Sequence, residues 1–210
     1  SPLLGNIMLN ELDKELTSRG LPFVRYADDS MIFCKSKRAA KRVKESVTRF
    51  IEGKLHLKVN RDKTVVSYVQ GVKYLGYSFY VMKGKCQLTV HPKSKAKMKS
   101  RLKELTSRSN GWGYAKRKQK LKEYIRGWVG YYHLANMKRL LLETDEWLRR
   151  RIRMCIWKAW KKPKTKVANL IKCGINKYKA YEWGNTRKGY WRIADSPILK
   201  RAIDNNKLRS

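Results

Sequence analysis

Two adjacent carboxylates, Asp28 and Asp29, stand between two short, largely apolar stretches, residues 23–27 and 30–33. Successive side chains of a strand point to opposite faces, so the pair cannot reach one ion from within a regular strand. The pattern predicts a β-hairpin with the pair at its turn, where one aspartate projects into a metal site and the other flanks it. Buried carboxylates without a partner need a cation, which supports a metal site. The alternative interpretation is an ordinary Asp-Asp turn on a hairpin that is exposed to solvent.

The charge of the chain points to a polyanionic partner. The 210 residues include 51 Lys+Arg and 16 Asp+Glu, which gives a formal net charge of +35. Residues 1–92 hold 17 basic and 8 acidic residues, leaving 34 and 8 for residues 93–210, where all seven Trp also lie. Basic side chains neutralise phosphates and aromatic rings stack on unpaired bases, so we expect the second part to bind RNA. A tryptophan core beneath a solvated basic face is the alternative.

Several other classes of protein do not fit this sequence. No stretch approaches the length of apolar residues that a membrane span needs, so we expect no membrane partner. The four cysteines are far apart and form no C-x-x-C pair, which argues against a zinc module or a disulfide framework and favours a reducing, cytosolic setting. The chain begins without Met, and we expect it to be a fragment of a longer protein.

The first 92 residues mix helical and extended patterns. Apolar residues at helical spacing predict helices over residues 1–18 and 39–55. Extended segments are predicted at residues 57–60, 64–69, 72–81 and 87–90, with turns at residues 61–63 and 83–84. This pattern predicts an α+β fold around an antiparallel sheet.

From Pro92 onward the predicted elements are helical. The apolar spacing predicts helices over residues 96–106, about 121–132 and about 137–161. Pro163 is predicted to end the third helix, and beyond it only a short helix after residues 196–197 is expected. The third helix is predicted to present an outward basic run that includes Arg149, Arg150 and Arg153.

Five motifs occur in the order and approximate spacing of group II intron reverse transcriptases, and together they cover nearly the whole chain. They are Ser1-Pro2-Leu3-Leu4-Gly5-Asn6-Ile7, Tyr26-Ala27-Asp28-Asp29, Asn60-Arg61-Asp62-Lys63-Thr64, Tyr74-Leu75-Gly76-Tyr77 and Arg126-Gly127-Trp128-Val129-Gly130-Tyr131-Tyr132. The resemblance implies a partial polymerase palm at residues 1–92, with antiparallel sheet and helices. It implies an all-helical, basic thumb (maturase X) domain at residues 93–162, and the rest of the maturase-specific region at residues 163–210.

The same resemblance implies an RNA-directed DNA polymerase that also helps its own intron RNA to splice. The implied partners are group II intron RNA, an RNA template with a DNA primer, and deoxynucleoside triphosphates; the implied cofactor is Mg²⁺ at a two-metal site. A further catalytic aspartate is implied upstream of Ser1, so we expect the chain alone to lack polymerase activity. The expected location is the cytoplasm of a bacterium, or an organelle if the protein is eukaryotic. A retron-type or diversity-generating reverse transcriptase and a non-catalytic RNA-binding splicing cofactor are the alternatives.

Nucleotide addition uses two divalent ions about 4 Å apart, and Mg²⁺ keeps several waters, so few protein carboxylates are needed. Asp28 is the expected direct ligand, with Asp29 beside it. Glu11, Asp13 and Glu15 are expected to be solvated helix charges.

The remaining site residues come from the resemblance and from charge. Lys63 is expected near the triphosphate, where it would protonate or neutralise the leaving group, with a surface lysine as the alternative. The residues implied near the template and nucleotide are Ser1, Pro2, Asn6, Tyr26 and Ala27, and those of the primer grip are Tyr74, Leu75 and Gly76. The candidates for RNA binding are Lys116, Arg117, Lys118, Lys120, Lys122, Arg149, Arg150, Arg153, Lys161 and Lys162.

Overall fold

The computed structural model describes residues 2–205 and residue 208, and of Pro2 it describes the backbone only. The chain divides into two compact units, residues 1–91 and residues 92–210. The first unit combines helices with small antiparallel sheets and the second is helical. The α+β prediction, a palm-like part followed by a helical part, is confirmed.

The first unit begins with two helices that pack around a hairpin. Helix α1 spans Pro2–Ser18, strand β1 Phe23–Tyr26, strand β2 Asp29–Ile32 and helix α2 Lys37–Gly53. Leu12 and Leu16 of α1 and Val47 of α2 form the buried centre, and partly buried residues of β1 and β2 pack against it. The Ser36 hydroxyl accepts a hydrogen bond from the Ala39 N–H and so caps α2, which begins two residues before its predicted start.

A three-stranded antiparallel sheet completes this unit. Strand β3 spans Lys73–Tyr74, β4 Tyr77–Met82 and β5 Lys85–Val90, in the order β3-β4-β5. The predicted turn at residues 83–84 is confirmed. The single strand predicted over residues 72–81 is wrong, because residues 75 and 76 form a tight turn between β3 and β4.

The strand predicted over residues 64–69 is also wrong. The described residues 64–68 form no strand, and Val69–Gly71 is a short 3-10 helix. Val65 and Tyr68 are 71% and 76% exposed, so their apolar side chains contribute to no buried sheet face. Alternating apolar residues favour a strand only where one face is buried, and here that condition fails.

The second unit contains seven helices in the described residues. They are α3 Pro92–Leu105, α4 Tyr114–Tyr131, α5 Lys138–Ala159, α6 Pro163–Lys172, α7 Lys177–Gly184, α8 Tyr190–Ile193 and α9 Pro197–Ala202. The three predicted long helices and the final short helix are confirmed in position. No helix within the described ranges combines the length and the apolarity that crossing a membrane requires.

Pro163 has a different role from the predicted one, because it begins helix α6 after α5 has already ended. Proline is tolerated in the first turn of a helix, where its missing N–H would have no partner in the helix. The prediction therefore missed α6, and it missed the short helices α7 and α8 as well. These short elements derive their stability from packing more than from their own apolar pattern.

Two apolar clusters form the core of this unit. The first joins α3, α4 and α5 through Met98, Leu102, Leu105, Leu121 and Leu148. The second joins Trp157 of α5 to buried residues of α6, α8 and α9, including Leu170, Ile193 and Leu199. Residues on both sides of Pro163 thus share one core, and the division of this part at residues 162 and 163 stays a prediction.

Candidate functional site

The two aspartates lie at the turn of the first hairpin, as predicted. Tyr26 pairs with Asp29, so Ala27 and Asp28 form the two-residue connection between β1 and β2. Asp28 and Asp29 are both exposed to solvent. Because both carboxylates are exposed, they need no cation to offset a cost of burial. A metal ion would have to bind through the geometry and the negative charge of an open turn.

Ala27 has a strained backbone next to the aspartates. Its φ is +53°, in the left-handed region that costs a residue with a Cβ about 1–2 kcal/mol. The Arg25 side chain donates a hydrogen bond from Nη1 to the Ala27 carbonyl oxygen at 2.9 Å. Backbone strain of this kind persists where surrounding contacts fix the conformation, and Arg25 supplies such a contact.

Arg25 also ties the turn to helix α1. Its Nε donates to Asp13 Oδ1 at 2.7 Å, its Nη2 donates to Asp13 Oδ2, and its Nη1 donates to Asn6 Oδ1 at 3.0 Å. The side chains of Arg25 and Asp13 are only 13% and 25% exposed. The hydrogen bond to Asp13 raises the pKa of Arg25 further above its usual range, so the guanidinium stays charged.

These contacts change the interpretation of three residues. Asn6, expected near the template, lies beside the aspartate hairpin through its bond to Arg25. The expectation that Asp13 is a solvated charge is wrong, because the guanidinium covers it. Arg25 is missing from the sequence-based candidates; the available signal was a single charged residue within the otherwise apolar run of β1.

The predicted primer-grip turn also lies beside the hairpin. The Tyr74 hydroxyl donates to the Asp29 carbonyl oxygen at 3.4 Å. Burial, assisted by the nearby Asp29 charge, raises the pKa of Tyr74, so the phenol remains a donor at neutral pH. Leu75 and Gly76 have φ of +48° and +82°, the positive values that a tight two-residue hairpin turn uses.

One predicted residue that the structure describes, Lys63, is not brought into this cluster. Lys63 is exposed in a loop where its N–H donates to Asn60 Oδ1 at 3.1 Å. Within the described part of the chain, its side chain makes no hydrogen bond or ion pair with Asp28 or Asp29. Ser1 lies outside the described residues, and Pro2 is described only as the first residue of α1.

The hairpin carries two carboxylates that could hold a divalent metal. No three His, Cys, Asp or Glu side chains come together as metal ligands anywhere among the residues described. Carboxylate oxygens are hard ligands, and Mg²⁺ usually binds through one or two of them while it keeps several waters. Asp28 and Asp29 fit that role, because both are exposed at one turn that Arg25 and Tyr74 hold in place.

The lysines predicted to bind RNA are mostly available at the surface of the second unit. Lys116, Lys120, Lys122, Lys161 and Lys162 are exposed, and Lys118 is half-buried. The Lys116 ammonium lies 5.6 Å from the centroid of the Trp112 ring, and Lys120 forms a 3.0 Å ion pair with Glu123. Exposed pairs of this kind are weak and leave the lysines able to bind phosphate.

The arginines predicted to bind RNA mostly make hydrogen bonds or ion pairs within the fold, and the outward orientation predicted for Arg153 is wrong. Arg153 is 6% exposed, and its Nε donates to the Ile203 carbonyl oxygen at 2.9 Å. Arg117 is 8% exposed, and its Nη2 donates to the Ser107 carbonyl and to Asn110 Oδ1. Arg149 pairs with Asp145 at 2.7 Å, and Arg150 donates to the Trp191 carbonyl oxygen.

Comparison with known families gives two matches in the order of the two units. Residues 1–79 match the family model described as reverse transcriptase (RNA-dependent DNA polymerase). Residues 95–174 match the model described as the group II intron, maturase-specific domain. The first match contains the aspartate hairpin and the Tyr74 turn, and the second contains helices α4 and α5 with all ten candidate RNA-binding residues.

Two curated relatives are similar to parts of the chain. The chain is 37% identical over 67 residues to the group II intron-encoded protein LtrA of Lactococcus lactis subsp. cremoris, covering 31% of this chain and 11% of LtrA. It is 30% identical over 112 residues to protein YkfC of Escherichia coli K12, covering 37% of this chain and 29% of YkfC. The chain thus spans less than a third of the length of either relative. With a reverse transcriptase segment followed by a maturase-specific segment, it belongs to the family of group II intron reverse transcriptases and maturases.

Proposed function

We propose that the natural protein carrying this chain copies RNA into DNA and binds the RNA of its own group II intron during splicing and mobility. In this proposal the substrates are deoxynucleoside triphosphates and a DNA primer paired with an RNA template. The first unit contributes part of the polymerising site, and the second contributes the surface that holds RNA. The order of the two family matches supports this assignment over a retron-type enzyme.

One observation carries the catalytic part of the proposal: Asp28 and Asp29 share a turn that is tied both to α1 and to Tyr74. Two divalent ions, when bound, activate the primer 3′-hydroxyl and neutralise charge on the leaving pyrophosphate. Asp28 would bind metal directly, and Asp29 would add negative charge beside it. Arg25 acts as a positioning residue, since it holds the Ala27 carbonyl and thereby the direction of the turn.

Two other groups have supporting roles in this proposal. The turn at Leu75 and Gly76 would lie against the primer end, where the absence of a side chain on Gly76 permits close approach of the backbone. Lys63, on its exposed loop, would reach the triphosphate only after the substrate is bound, because no contact holds it at the hairpin in the described structure.

The test is metal-dependent incorporation of deoxynucleotides by the natural protein on an RNA template. Asp28→Ala should abolish incorporation while the affinity for intron RNA is retained, because the lysines of the second unit are unchanged. Full incorporation by Asp28→Ala would contradict the catalytic assignment. Loss of RNA affinity in the same variant would instead contradict the separation of the two sites.

A non-catalytic RNA-binding splicing cofactor is the second candidate function. It is favoured by the charge distribution, because residues 93–210 contain 34 basic and 8 acidic residues. Replacing Lys116, Lys120 and Lys122 with Gln should weaken intron binding and flatten its dependence on salt. If incorporation by the natural protein were absent while this binding effect was present, the cofactor function would replace the polymerase function.

A further inference from the structure

A cleft in the second unit lies between helices α3, α5 and α8 and has a volume of about 500 Å³. This tryptophan cleft is lined by two aromatic rings, three cations and one hydroxyl, on Trp147, Trp191, Lys99, Lys103, Arg151 and Ser100. Its volume falls within the range of sites that bind small molecules. None of the predicted RNA-binding lysines lines it.

The charge of the cleft fits an anion. None of its lining residues is acidic. Asp195, the acid nearest in sequence to Trp191, pairs with Lys200 at 2.9 Å and with Arg150 at 3.5 Å, and the Lys200 hydrogen bond lowers its pKa. Among the described residues, none of Lys99, Lys103 and Arg151 forms an ion pair with a carboxylate, which favours a negatively charged ligand.

The cations in the cleft differ in how firmly they are held. Arg151 donates from Nε to Thr106 Oγ1 and from Nη2 to the carbonyl oxygens of Lys103 and Thr106, so its guanidinium is fixed. Lys99 and Lys103 are exposed and lie one helical turn apart on α3. Two exposed ammonium groups beside a fixed guanidinium can bind a phosphate while the guanidinium keeps its existing hydrogen bonds.

Trp191 is held in place although it lies at the surface. The Arg150 guanidinium lies 4.0 Å from the centroid of its ring and donates two hydrogen bonds to its carbonyl oxygen, at 3.2 and 3.0 Å. The residue remains 39% exposed and lines the cleft. A large aromatic ring that is both rigid and exposed is a stacking platform for an unpaired base.

Trp147 forms the other aromatic side of the cleft. It packs on the apolar cluster of α3, α4 and α5, and the Lys99 ammonium and the Arg151 guanidinium lie 5.4 and 5.2 Å from its ring centroid. Aromatic rings interleaved with cations are typical of surfaces that bind single-stranded nucleic acid. An acidic peptide would use the cations but would leave the flat face of Trp191 without a matching partner.

We propose that the tryptophan cleft binds an unpaired nucleotide of single-stranded RNA. The base stacks on Trp191, and the adjoining phosphate binds Lys99 and Lys103. The proposal rests on RNA being the partner of this chain, as proposed above, and it adds a second kind of RNA recognition, by stacking. The residues matched to the maturase-specific model end at 174, so α8 and Trp191 lie beyond them.

The test measures binding of the 210-residue chain to a single-stranded oligouridine and to a duplex RNA of equal length, over a range of salt concentrations. Trp191→Ala should lower the affinity for the single strand about tenfold, with an unchanged salt slope, because stacking carries no charge. The double variant Lys99→Gln, Lys103→Gln should reduce the salt slope, which is the steepness with which log affinity falls with log salt concentration. The expected reduction is about 0.7 for each phosphate that the protein no longer neutralises. Duplex affinity should not change in Trp191→Ala, because paired bases are not free to stack.

Tyr178→Ala is the matched aromatic control, since Tyr178 is 85% exposed, lies between two lysines and does not line the cleft. Equal losses of single-strand affinity in Trp191→Ala and Tyr178→Ala would overturn the cleft proposal and leave RNA binding intact. If Trp191→Ala lost as much affinity for duplex RNA as for single-stranded RNA, the cleft proposal would also be overturned. The same holds if polyglutamate, an acidic peptide, displaced oligouridine from the unaltered chain but not from Trp191→Ala. Failure of the unaltered chain to bind any RNA would overturn both the cleft and the RNA-binding part of the proposed function.

Discussion

At the scale of single residues, Arg25 connects helix α1 to the turn that carries Asp28. Three acceptors share its guanidinium: the Asp13 carboxylate, the Asn6 side chain and the Ala27 carbonyl. A planar guanidinium with several donors in fixed directions can hold all three at once, whereas a lysine ammonium cannot reproduce this arrangement. The conformation of the turn thus depends on Arg25, a residue that has no atom able to bind a metal ion.

The stability of this connection can be measured through Asp13. Asp13→Asn removes the charge opposite Arg25, and we expect it to lower the free energy of unfolding by about 1–2 kcal/mol. This loss is smaller than for a fully buried ion pair, because both side chains keep some exposure to solvent. Glu11→Gln is the control on the same helix: Glu11 pairs with Lys14 in an exposed position, so this variant should lower the stability much less than Asp13→Asn does. Urea denaturation that gave equal losses of stability for the two variants would show that the Arg25 pair contributes no more than a surface pair.

Sequence alone predicts the aspartate turn but not the contacts that hold it. Alternation of apolar residues around Asp28 and Asp29 is a local pattern, and the hairpin follows it. The pairing of Arg25 with Asp13 joins residues on two elements, so no local pattern contains it. The outward orientation predicted for Arg153 is wrong for the same reason, because the segment near Ile203 that covers it lies far along the chain.

At the scale of elements, the β4–β5 hairpin contains a turn that its residue types do not favour. Lys83 and Gly84 connect the strands with φ of +50° and +74°, and the first of these values is strained for a residue with a Cβ. Asn is strongly preferred at that position of such a turn. Lys83 is also exposed, so its side chain has no packing role that a replacement would remove.

Lys83→Asn should therefore stabilise the chain by about 0.5–1 kcal/mol, which a thermal melt can detect. Lys85→Asn, two residues on and within β5, is the control; it should be neutral or slightly destabilising because Asn is disfavoured in strands. A rise in melting temperature for both variants would indicate a general effect of removing positive charge, and would contradict the explanation from turn strain.

Helices α6 and α7 approach each other closely at one glycine. A Cβ on Gly184 would lie 2.5 Å from Val167 Cγ2 and 3.3 Å from the Val167 backbone nitrogen. Gly184→Ala should destabilise the chain by about 1–3 kcal/mol, the usual effect of overpacking. Gly127→Ala in α4 is the opposite control: a Cβ there meets nothing within 4 Å, and better helix propensity should stabilise by up to about 1 kcal/mol. Chemical denaturation showing increased stability for both variants would contradict the close packing of α6 on α7.

Elements with long apolar periodicity are predicted well from the sequence, and short or exposed elements are not. Helix α5 is predicted over 137–161 and spans Lys138–Ala159, because 22 residues repeat the helical spacing many times. Helix α6 has only 10 residues and begins at Pro163, where the sequence pattern predicts the end of a helix. The segment 64–68 shows an alternating pattern without a sheet to pack on. Tertiary packing decides these cases, and it is not contained in a local pattern.

At the scale of the whole molecule, the net charge of +35 has a consequence for stability. Self-repulsion among like charges destabilises a compact chain, and salt screens it. We expect the melting temperature to rise by about 2–4 °C between low and physiological ionic strength, which corresponds to about 1 kcal/mol for a chain of this size. Scanning calorimetry at both ionic strengths measures this; a melting temperature that fell with salt would show that attractive ion pairs dominate.

In the proposed function, the turn at Asp28 binds the metal used in RNA-templated DNA synthesis. Its most direct test is the single-turnover rate of adding one deoxynucleotide to a DNA primer on an RNA template, measured with the natural protein against Mg²⁺ concentration. Asp28→Asn keeps the shape of the side chain and removes its charge, and should lower the rate at least about a hundredfold, the scale expected when a charged group that stabilises the transition state is removed. Asp62→Asn, on the exposed loop beside Lys63, should leave the rate unchanged. An Asp28→Asn protein with the unaltered rate and the same Mg²⁺ dependence would contradict the claim.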